Sequence, residues 1–244
     1  MIEGKPVKVY IASPVGDMCP AFWANDMYKF GAYNANHGIN TGIIMASGSL
    51  IPKQRNTLVK AVLQDESFTH IMWLDSDLRF PPSTLERLLA HKLPIVCATY
   101  TERSYPFRPT AFPDFDDPGL RIFTTPENTG LVEIKSAGFG CVLVETDYLR
   151  KMSKPWFMVG YNTETDSCIG EDIYFFYKFA KETGAKVMMD YDLTKEILHI
   201  GRFEFSYMHA LQNHIAREEA RKAEEEAKKQ EEEKDTSGTV QLVS

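Results

Sequence analysis

The 244-residue sequence has no apolar run that could cross a membrane as a helix, which takes roughly 18 to 20 residues. Residues 1–6 also lack the basic and apolar regions of a signal peptide, and the first apolar run is short enough to be a strand. We therefore expect a soluble, cytoplasmic protein with no membrane span.

Cysteine is scarce, and its spacing matches no paired metal motif. Three of the four cysteines lie in or beside apolar stretches; the four are Cys19, Cys97, Cys141 and Cys168. Reduced thiols in the core are therefore expected, and not disulfides or a zinc site.

Basic residues are not in excess, because the formal net charge is −7. This charge argues weakly against a surface that binds nucleic acid. Two facts reduce the force of this argument. An acidic C-terminal region contributes much of the negative charge, and an enzyme that acts on DNA needs only a local basic patch.

The first hundred residues do contain a regular alternation of short apolar strands with helices. Strands are predicted at 7–12, 41–46, 71–74 and 95–98, and helices at 20–36, 52–64 and 83–91. Ser83 and Glu86 have the spacing of a capping box at the start of the third helix. The alternation predicts an α/β fold with a parallel, Rossmann-like sheet, in which ligands bind beyond the C-terminal strand ends.

The rest of the chain is predicted to be more irregular, with a proline-rich and aromatic loop at 101–118. The elements expected after it are a hairpin of strands at 120–124 and 131–135, a strand at 141–144, a short helix at 146–152, a long loop at 153–170, a helix from Glu171 to about Thr183 followed by Gly184, and strands at 186–189 and 197–200.

Composition predicts one domain over residues 1–212 and a charged helical tail with a disordered end over residues 213–244. Four alanines in the tail fall at 4-3-4 spacing and form a thin heptad seam: Ala216, Ala220, Ala223 and Ala227. Since alanine buries little area, we favour a solvated single helix over a coiled coil. Self-association through this helix is the alternative.

Two carboxylates, Asp75 and Asp77, directly follow the apolar strand at 71–74. With the period of a strand their side chains leave the same face, and neither has an obvious basic neighbour in the sequence. Two carboxylates on the same face are a candidate site for binding a cation. The competing interpretation is a solvated turn after a core strand.

This Asp-x-Asp resembles the motif of glycosyltransferases with the GT-A fold. The later stretch from Gly170-Glu171-Asp172 through Gly184-Ala185-Lys186-Val187 to His199-Ile200-Gly201 resembles the C-terminal half of the family 2-like members in order and spacing. The resemblance covers roughly residues 7–201. It implies a mixed, Rossmann-like sheet flanked by helices, and a metal-dependent transfer of sugar from a nucleotide sugar to an acceptor hydroxyl.

Carried over by residue, the resemblance implies that Asp77 and His199 bind Mn²⁺ or Mg²⁺. Asp75 would contact the ribose of the nucleotide or bind the metal through water. Asp172 would be the general base, with Glu171 orienting it or holding the acceptor. A helix N-terminus is expected to keep Asp172 ionised by lowering its pKa.

Further predicted donor-site residues are Ser13, Pro14, Arg55, Asn56, Asp75, Ser76, Gly138, Phe139 and Trp156. Gly138 and Phe139 belong to a glycine-rich turn, residues 137–140, that resembles the one facing donor sugar and acceptor in this family, and Trp156 is expected to stack on a sugar ring. An arginine suits a diphosphate, and a glycine lets a ligand approach the backbone. The competing interpretations are a surface arginine at position 55 and a tryptophan at position 156 that pins a loop. A UDP-sugar is the default donor in such families, and the acceptor is left open as a glycan, a lipid, a protein or a modified nucleic-acid base.

Two other functions fit the predicted fold class. A sugar-nucleotide pyrophosphorylase would need a glycine-rich, basic loop after the first strand, but residues 13–17 contain one glycine and no basic residue. A non-catalytic module that binds a nucleotide or a glycan stays open as the alternative to a transferase.

Overall fold

The computed structural model describes residues 6–201 except 106, 116, 118 and 165, and also residues 219–222, 224 and 228. The chain divides into two compact units, Met1–Gly201 and Arg202–Ser244. Residues 219–222 are helical and exposed. The predicted domain boundary at residue 212 and most of the predicted tail lie outside the described residues, so this division stays a prediction.

The elements of the first unit are named in chain order. The helices are α1 Ala21–Asn36, α2 Ile51–Val62, α3 Thr84–Ala90, α4 Thr146–Lys151, α5 Glu171–Thr183 and α6 Tyr191–Thr194. The strands are β1 Lys8–Val15, β2 Asn40–Ser47, β3 His70–Leu74, β4 Leu78–Arg79, β5 Ile95–Cys97, β6 Ala111–Phe112, β7 Leu131–Ile134, β8 Ser136–Ala137, β9 Cys141–Glu145, β10 Gly160–Asn162, β11 Ser167–Ile169, β12 Val187–Asp190 and β13 Leu198–His199.

Seven strands form the central sheet in the order β2-β1-β3-β9-β5-β12-β7. The strands β2, β1 and β3 are parallel, and β9 enters antiparallel between β3 and β5. Strand β12 pairs in parallel with β5 and antiparallel with the edge strand β7. The mixed α/β sheet implied by the resemblance is confirmed.

Strand β3 is buried along its whole length because both faces of the sheet are covered. Ile71 and Trp73 pack into one core with the apolar faces of α2, α4 and α5. Met72 and Leu74, which point the opposite way, pack into a second core with α1 and α3. The apolar run without alternation in the sequence is explained by these two helical layers.

A short two-stranded ribbon beyond β3 brings His199 close to the end of this strand. In the antiparallel pair of β4 and β13, His199 lies opposite Leu78. The backbone N–H of Ile200 donates to the carbonyl oxygen of Asp77 at 2.8 Å. Residues 77 and 199 are thereby held side by side by backbone pairing.

The hairpin predicted from strands at 120–124 and 131–135 is wrong. Residues 120–124 form no strand, and the N–H of Ile122 donates to the carbonyl of Ala111. The second segment is β7, which pairs with β12 from a distant part of the chain. Tertiary pairing has overridden the local pattern. A hairpin does occur at β10 and β11, inside the predicted long loop.

The capping box predicted at Ser83 is also wrong in its hydrogen bonds. Ser83 is the N-cap residue of α3, but its side chain makes no capping hydrogen bond. The carboxylate of Glu86 instead accepts from the hydroxyl of Tyr33 in α1 at 2.6 Å. The glutamate therefore joins two helices and does not close its own N-terminus.

The four cysteines are free thiols, but they do not all lie in the core. Cys97 and Cys141 are buried in the sheet, whereas Cys19 and Cys168 are exposed. The expectation of core thiols is wrong for the latter two, because both lie outside the central sheet. Among the described residues, no helix is both long enough and apolar enough to span a bilayer.

Gly184 ends α5 in the left-handed conformation, with φ +71°, and a Cβ at this residue would meet no atom within 4 Å. We expect Gly184→Ala to lower the free energy of unfolding by about 1 kcal/mol, because alanine is strained at this φ. Gly31→Ala, at an equally open position inside α1, should instead raise it by roughly 0.5 to 1 kcal/mol. Urea unfolding measures the free energy of both variants, and equal changes would contradict the left-handed conformation assigned to Gly184.

Candidate active site

A cavity of about 420 Å³ opens beyond the C-terminal ends of β1 and β3. It is lined by Pro14, Val15, Gly16, Gly48, Ile51, Gln54, Arg55, Asp75, Ser76, Asp77, Tyr100, Arg103, Phe139, Glu171, Asp172 and His199. Its size is in the range of small-molecule sites. Its position beyond the C-terminal strand ends is where open α/β sheets generally bind their ligands.

The guanidinium of Arg55 on α2 joins the two acidic motifs in this cavity. It donates to both carboxylate oxygens of Asp75, at 3.1 and 3.2 Å, and its Nε lies 3.5 Å from Oε1 of Glu171. It also donates to the carbonyl oxygen of Phe139 at 3.1 Å. Arg55 is only 3% exposed, so it is a buried counter-ion for Asp75 and Glu171.

Three aromatic rings surround this guanidinium, which explains how a charge is accommodated at this depth. The rings of Trp73, Phe139 and Phe157 lie 5.6, 5.0 and 5.8 Å from its central carbon. Burial lowers the pKa of Arg55, but the charges of Asp75 and Glu171 outweigh it and raise that pKa above the usual value. The arginine therefore stays charged.

Asp77 has a different environment from Asp75. Its Oδ2 lies 2.9 Å from Nη1 of Arg103 and 3.4 Å from Nε2 of His199. Burial raises the pKa of Asp77, but its contacts with His199 and with the charge of Arg103 outweigh burial and hold the pKa below the usual value. Asp77 is an ionised carboxylate at neutral pH.

His199 has the orientation of a metal ligand. Its Nδ1 lies 2.8 Å from the carbonyl oxygen of Thr101, which can only accept, so Nδ1 carries a proton. The other nitrogen, Nε2, faces Asp77 and can offer a lone pair to a cation. One carboxylate and one imidazole suit Mn²⁺ or Mg²⁺ when water and phosphate oxygens complete the shell.

The three predicted metal ligands are not assembled into one cluster. Over the described part of the chain, no group of three or more His, Cys, Asp or Glu side chains could hold a metal ion. Asp77 and His199 lie together, whereas both oxygens of Asp75 accept from Arg55. Asp75 is therefore better placed as a hydrogen-bond acceptor for a ligand than as a metal ligand.

Asp172 lies in the first turn of α5, where the N–H of Ile173 donates to its Oδ1 at 2.8 Å. Burial, aided by the neighbouring charge of Glu171, raises the pKa of Asp172 to about 6. This is opposite to the lowering expected from the helix N-terminus, because loss of solvent outweighs the helix dipole at this position. Asp172 is thus a stronger base than an ordinary aspartate.

Tyr100 was not predicted from the sequence, but it lies in the wall of the cavity against Gly138 and Gly140. The N–H of Gly140 donates to its hydroxyl at 3.1 Å. A Cβ on Gly138 would lie 2.6 Å from that hydroxyl oxygen, and one on Gly140 2.8 Å from it. These glycines make room for a tyrosine, and the close approach predicted for a ligand is made by Tyr100 itself.

Searches with protein-family models and against curated proteins give no match. Solved structures do match. GalNAc-T7 with UDP, GalNAc and Mn²⁺ superposes with a TM-score of 0.54 and 11% identity, over 81% of this chain and 44% of that one.

The chain has a GT-A fold. It spans less than half of the GalNAc-T7 chain. A197 from STIV has a TM-score of 0.49 and 15% identity over 82% of this chain and 99% of its own. A Drosophila beta-1,4-galactosyltransferase 7 mutant with manganese, UDP-Gal and xylobiose has a TM-score of 0.47 and 15% identity, over 81% of this chain and 72% of its own.

On this GT-A fold, four of the nine predicted donor-site residues are not part of the cavity lining, and two of these four, Asn56 and Trp156, hold a loop in place. The side-chain amide of Asn56 donates to the carbonyl of Phe157, and its oxygen accepts from the N–H groups of Trp156 and Phe157. Trp156 is only 5% exposed, and its indole N–H donates to the carbonyl of Leu149. Both residues pin the loop after α4 to the core, which was the competing interpretation for the tryptophan.

The other predicted residues lie in or beside the cavity. Pro14, Ser76 and Phe139 line it, whereas Ser13 and Gly138 are buried and are not part of its lining. Arg103 and Gln54 line it without having been predicted. The side-chain amide of Gln54 donates to the carbonyl oxygens of Gly48 and Val15, at 2.6 and 3.5 Å, and so connects the end of β1 to the loop after β2.

Replacement of Arg55 tests whether it is a buried bridge. We expect Arg55→Met to lower the free energy of unfolding by about 3 kcal/mol, because Asp75 and Glu171 would lose their counter-ion. The control is Arg87→Met, which removes a more exposed ion pair with Glu196 and should cost less than about 1 kcal/mol. Urea unfolding compares the two, and equal small losses would show that Arg55 is not a structural bridge.

Proposed function

We propose that the protein is a metal-dependent glycosyltransferase that moves a sugar from a nucleoside diphosphate sugar, with UDP as the default nucleotide, to an acceptor hydroxyl. The observation that carries the proposal is the meeting of two remote acidic pairs in one cavity of a GT-A fold. Asp75 and Asp77 follow β3, and Glu171 and Asp172 begin α5. The UDP and Mn²⁺ in the GalNAc-T7 structure support this choice of ligands.

The donor nucleotide fits the end of the cavity at β1. Pro14 and Val15 are the last residues of this strand, and with Gly16 they would offer the surface for a nucleobase. Asp75, held by Arg55, offers a fixed hydrogen-bond acceptor for a ribose hydroxyl. Because both are positioned before the donor arrives, binding would cost little ordering of side chains.

The diphosphate would lie beside Asp77 and His199, which would hold the divalent cation. The cation, when bound, supplies positive charge against the negative charge that grows on the leaving diphosphate. Asp77 is ionised for this task, and the hydrogen bond of His199 to Thr101 fixes its ring with Nε2 toward Asp77.

Asp172 would accept the proton of the acceptor hydroxyl. As the acceptor oxygen attacks the anomeric carbon, the bond from that carbon to the phosphate oxygen breaks, and the diphosphate leaves with the electron pair. A pKa of about 6 leaves Asp172 ionised at neutral pH, and also basic enough to take the proton. Glu171, held by Arg55, keeps the first turn of α5 in place. Attack in this manner inverts the anomeric configuration.

Incubation with UDP- and GDP-sugars, with Mn²⁺ or with EDTA, tests the proposal. Release of free nucleoside diphosphate that requires the metal is expected for a transferase, even when water replaces the missing acceptor. Binding of UDP without any release, across the panel and with candidate acceptors, would support the non-catalytic binding module instead.

The role of Asp172 has its own test. Below a pKa of about 6 the base is protonated, so kcat/KM should fall about tenfold for each pH unit of further acidification. Asp172→Asn should keep UDP affinity and lower kcat by about 10² to 10⁴. Asp147→Asn, at the exposed first turn of α4, is the matched control and should change neither. Normal turnover by Asp172→Asn would disprove this assignment.

A further inference from the structure

Arg103 is a second arginine of the cavity, and its environment is opposite to that of Arg55. Its side chain is 49% exposed, whereas that of Arg55 is 4% exposed. Besides Asp77, its Nη1 contacts the carbonyl oxygen of Ile200 at 3.3 Å. The alkyl part lies over Gly201, where a Cβ would come within 2.7 Å of its Cδ. Arg103 can therefore leave Asp77 without stranding a buried charge.

Arg103 contacts the same oxygen of Asp77 that would bind a cation. Oδ2 of Asp77 is the atom 2.9 Å from Arg103 and also the atom 3.4 Å from Nε2 of His199. A divalent cation between Asp77 and His199 would thus meet a guanidinium at its first ligand. Two positive charges at this distance repel each other strongly, so one must move.

The charges of the cavity indicate where the displaced guanidinium would go. Among the described residues, four carboxylates and two guanidiniums line it, and Arg55 is already shared by Asp75 and Glu171. A cation with a nucleoside diphosphate brings new phosphate oxygens beside Asp77. A planar guanidinium matches such oxygens in geometry and charge, and Arg103 is close by on an exposed loop.

We infer that Arg103 competes with the divalent cation for Asp77 in the free protein, and pairs with the diphosphate of the donor once the cation has displaced it. This inference rests on the proposed function, since it assigns a role at the same donor site. It makes Arg103 a residue that weakens binding of the metal alone and strengthens binding of the metal with nucleotide. The cavity would then favour the complete metal–nucleotide pair over a free cation.

The test is a titration with Mn²⁺ alone, read by the electron paramagnetic resonance signal of the free ion. Arg103→Gln should bind Mn²⁺ about two- to five-fold more tightly than the unchanged protein, the range expected for loss of a half-exposed ion pair. Arg103→Lys, which keeps the charge, should stay near the unchanged value. Arg108→Gln removes a charge from an exposed position in the same loop and is the matched control.

The second half of the test is UDP affinity at saturating Mn²⁺, measured by calorimetry. Arg103→Gln should bind UDP several-fold more weakly, opposite in sign to its effect on Mn²⁺ alone. Unchanged or weaker Mn²⁺ binding by this variant would overturn the competition, and unchanged UDP binding would overturn the pairing with phosphate. If Asp77→Asn leaves Mn²⁺ binding intact, the proposed metal site itself fails, and that outcome is distinct from either of the others.

Discussion

One buried guanidinium holds the two halves of this site together. Arg55 reaches from α2 to Asp75 at the end of β3 and to Glu171 at the start of α5. Without it, two carboxylates would face each other in a partly dry cavity, where like charges repel strongly. The aromatic rings around the guanidinium keep water out and fix its direction, so the acidic groups are placed before any ligand binds.

From this arrangement the carboxylates of the cavity acquire different properties. Asp77 has a lowered pKa because it contacts His199 and Arg103, whereas Asp172 has a pKa raised to about 6 by burial and by Glu171. A permanently ionised group suits a cation, and a group with a pKa near neutrality suits proton transfer. The proposed division of labour between metal binding and base catalysis therefore follows from where each side chain lies.

The sequence predicted those elements whose periodicity and end signals are local. Helices α1, α2 and α5 lie within one or two residues of their predicted bounds, and Gly184 ends α5 as expected. Strand β3 could be predicted from the sequence because both of its faces are apolar. The hairpin of 120–124 with 131–135 was wrongly predicted because residues 120–124 form no strand and β7 pairs with the distant β12, a choice that depends on the tertiary fold.

The site was predictable in its motifs but not in its connections. Asp75 and Asp77 were found at the end of an apolar strand and His199 through a resemblance, but the placement of Asp77 beside His199 depends on the pairing of β4 with β13. The burial of Arg55 and the contact of Tyr100 with two glycines depend on packing between elements far apart in sequence, so no local pattern indicated them. Arg55 was expected to lie at the surface or to contact a nucleotide, whereas in the structure it contacts the carboxylates of Asp75 and Glu171.

The measurement that tests this mechanism most directly is a crystal structure of the protein with UDP and Mn²⁺. We expect the metal between Asp77 and His199, the diphosphate beside it, and Arg55 still bound to Asp75 and Glu171. A nucleotide bound elsewhere, or an Arg55 that leaves both carboxylates to bind the diphosphate, would contradict the mechanism.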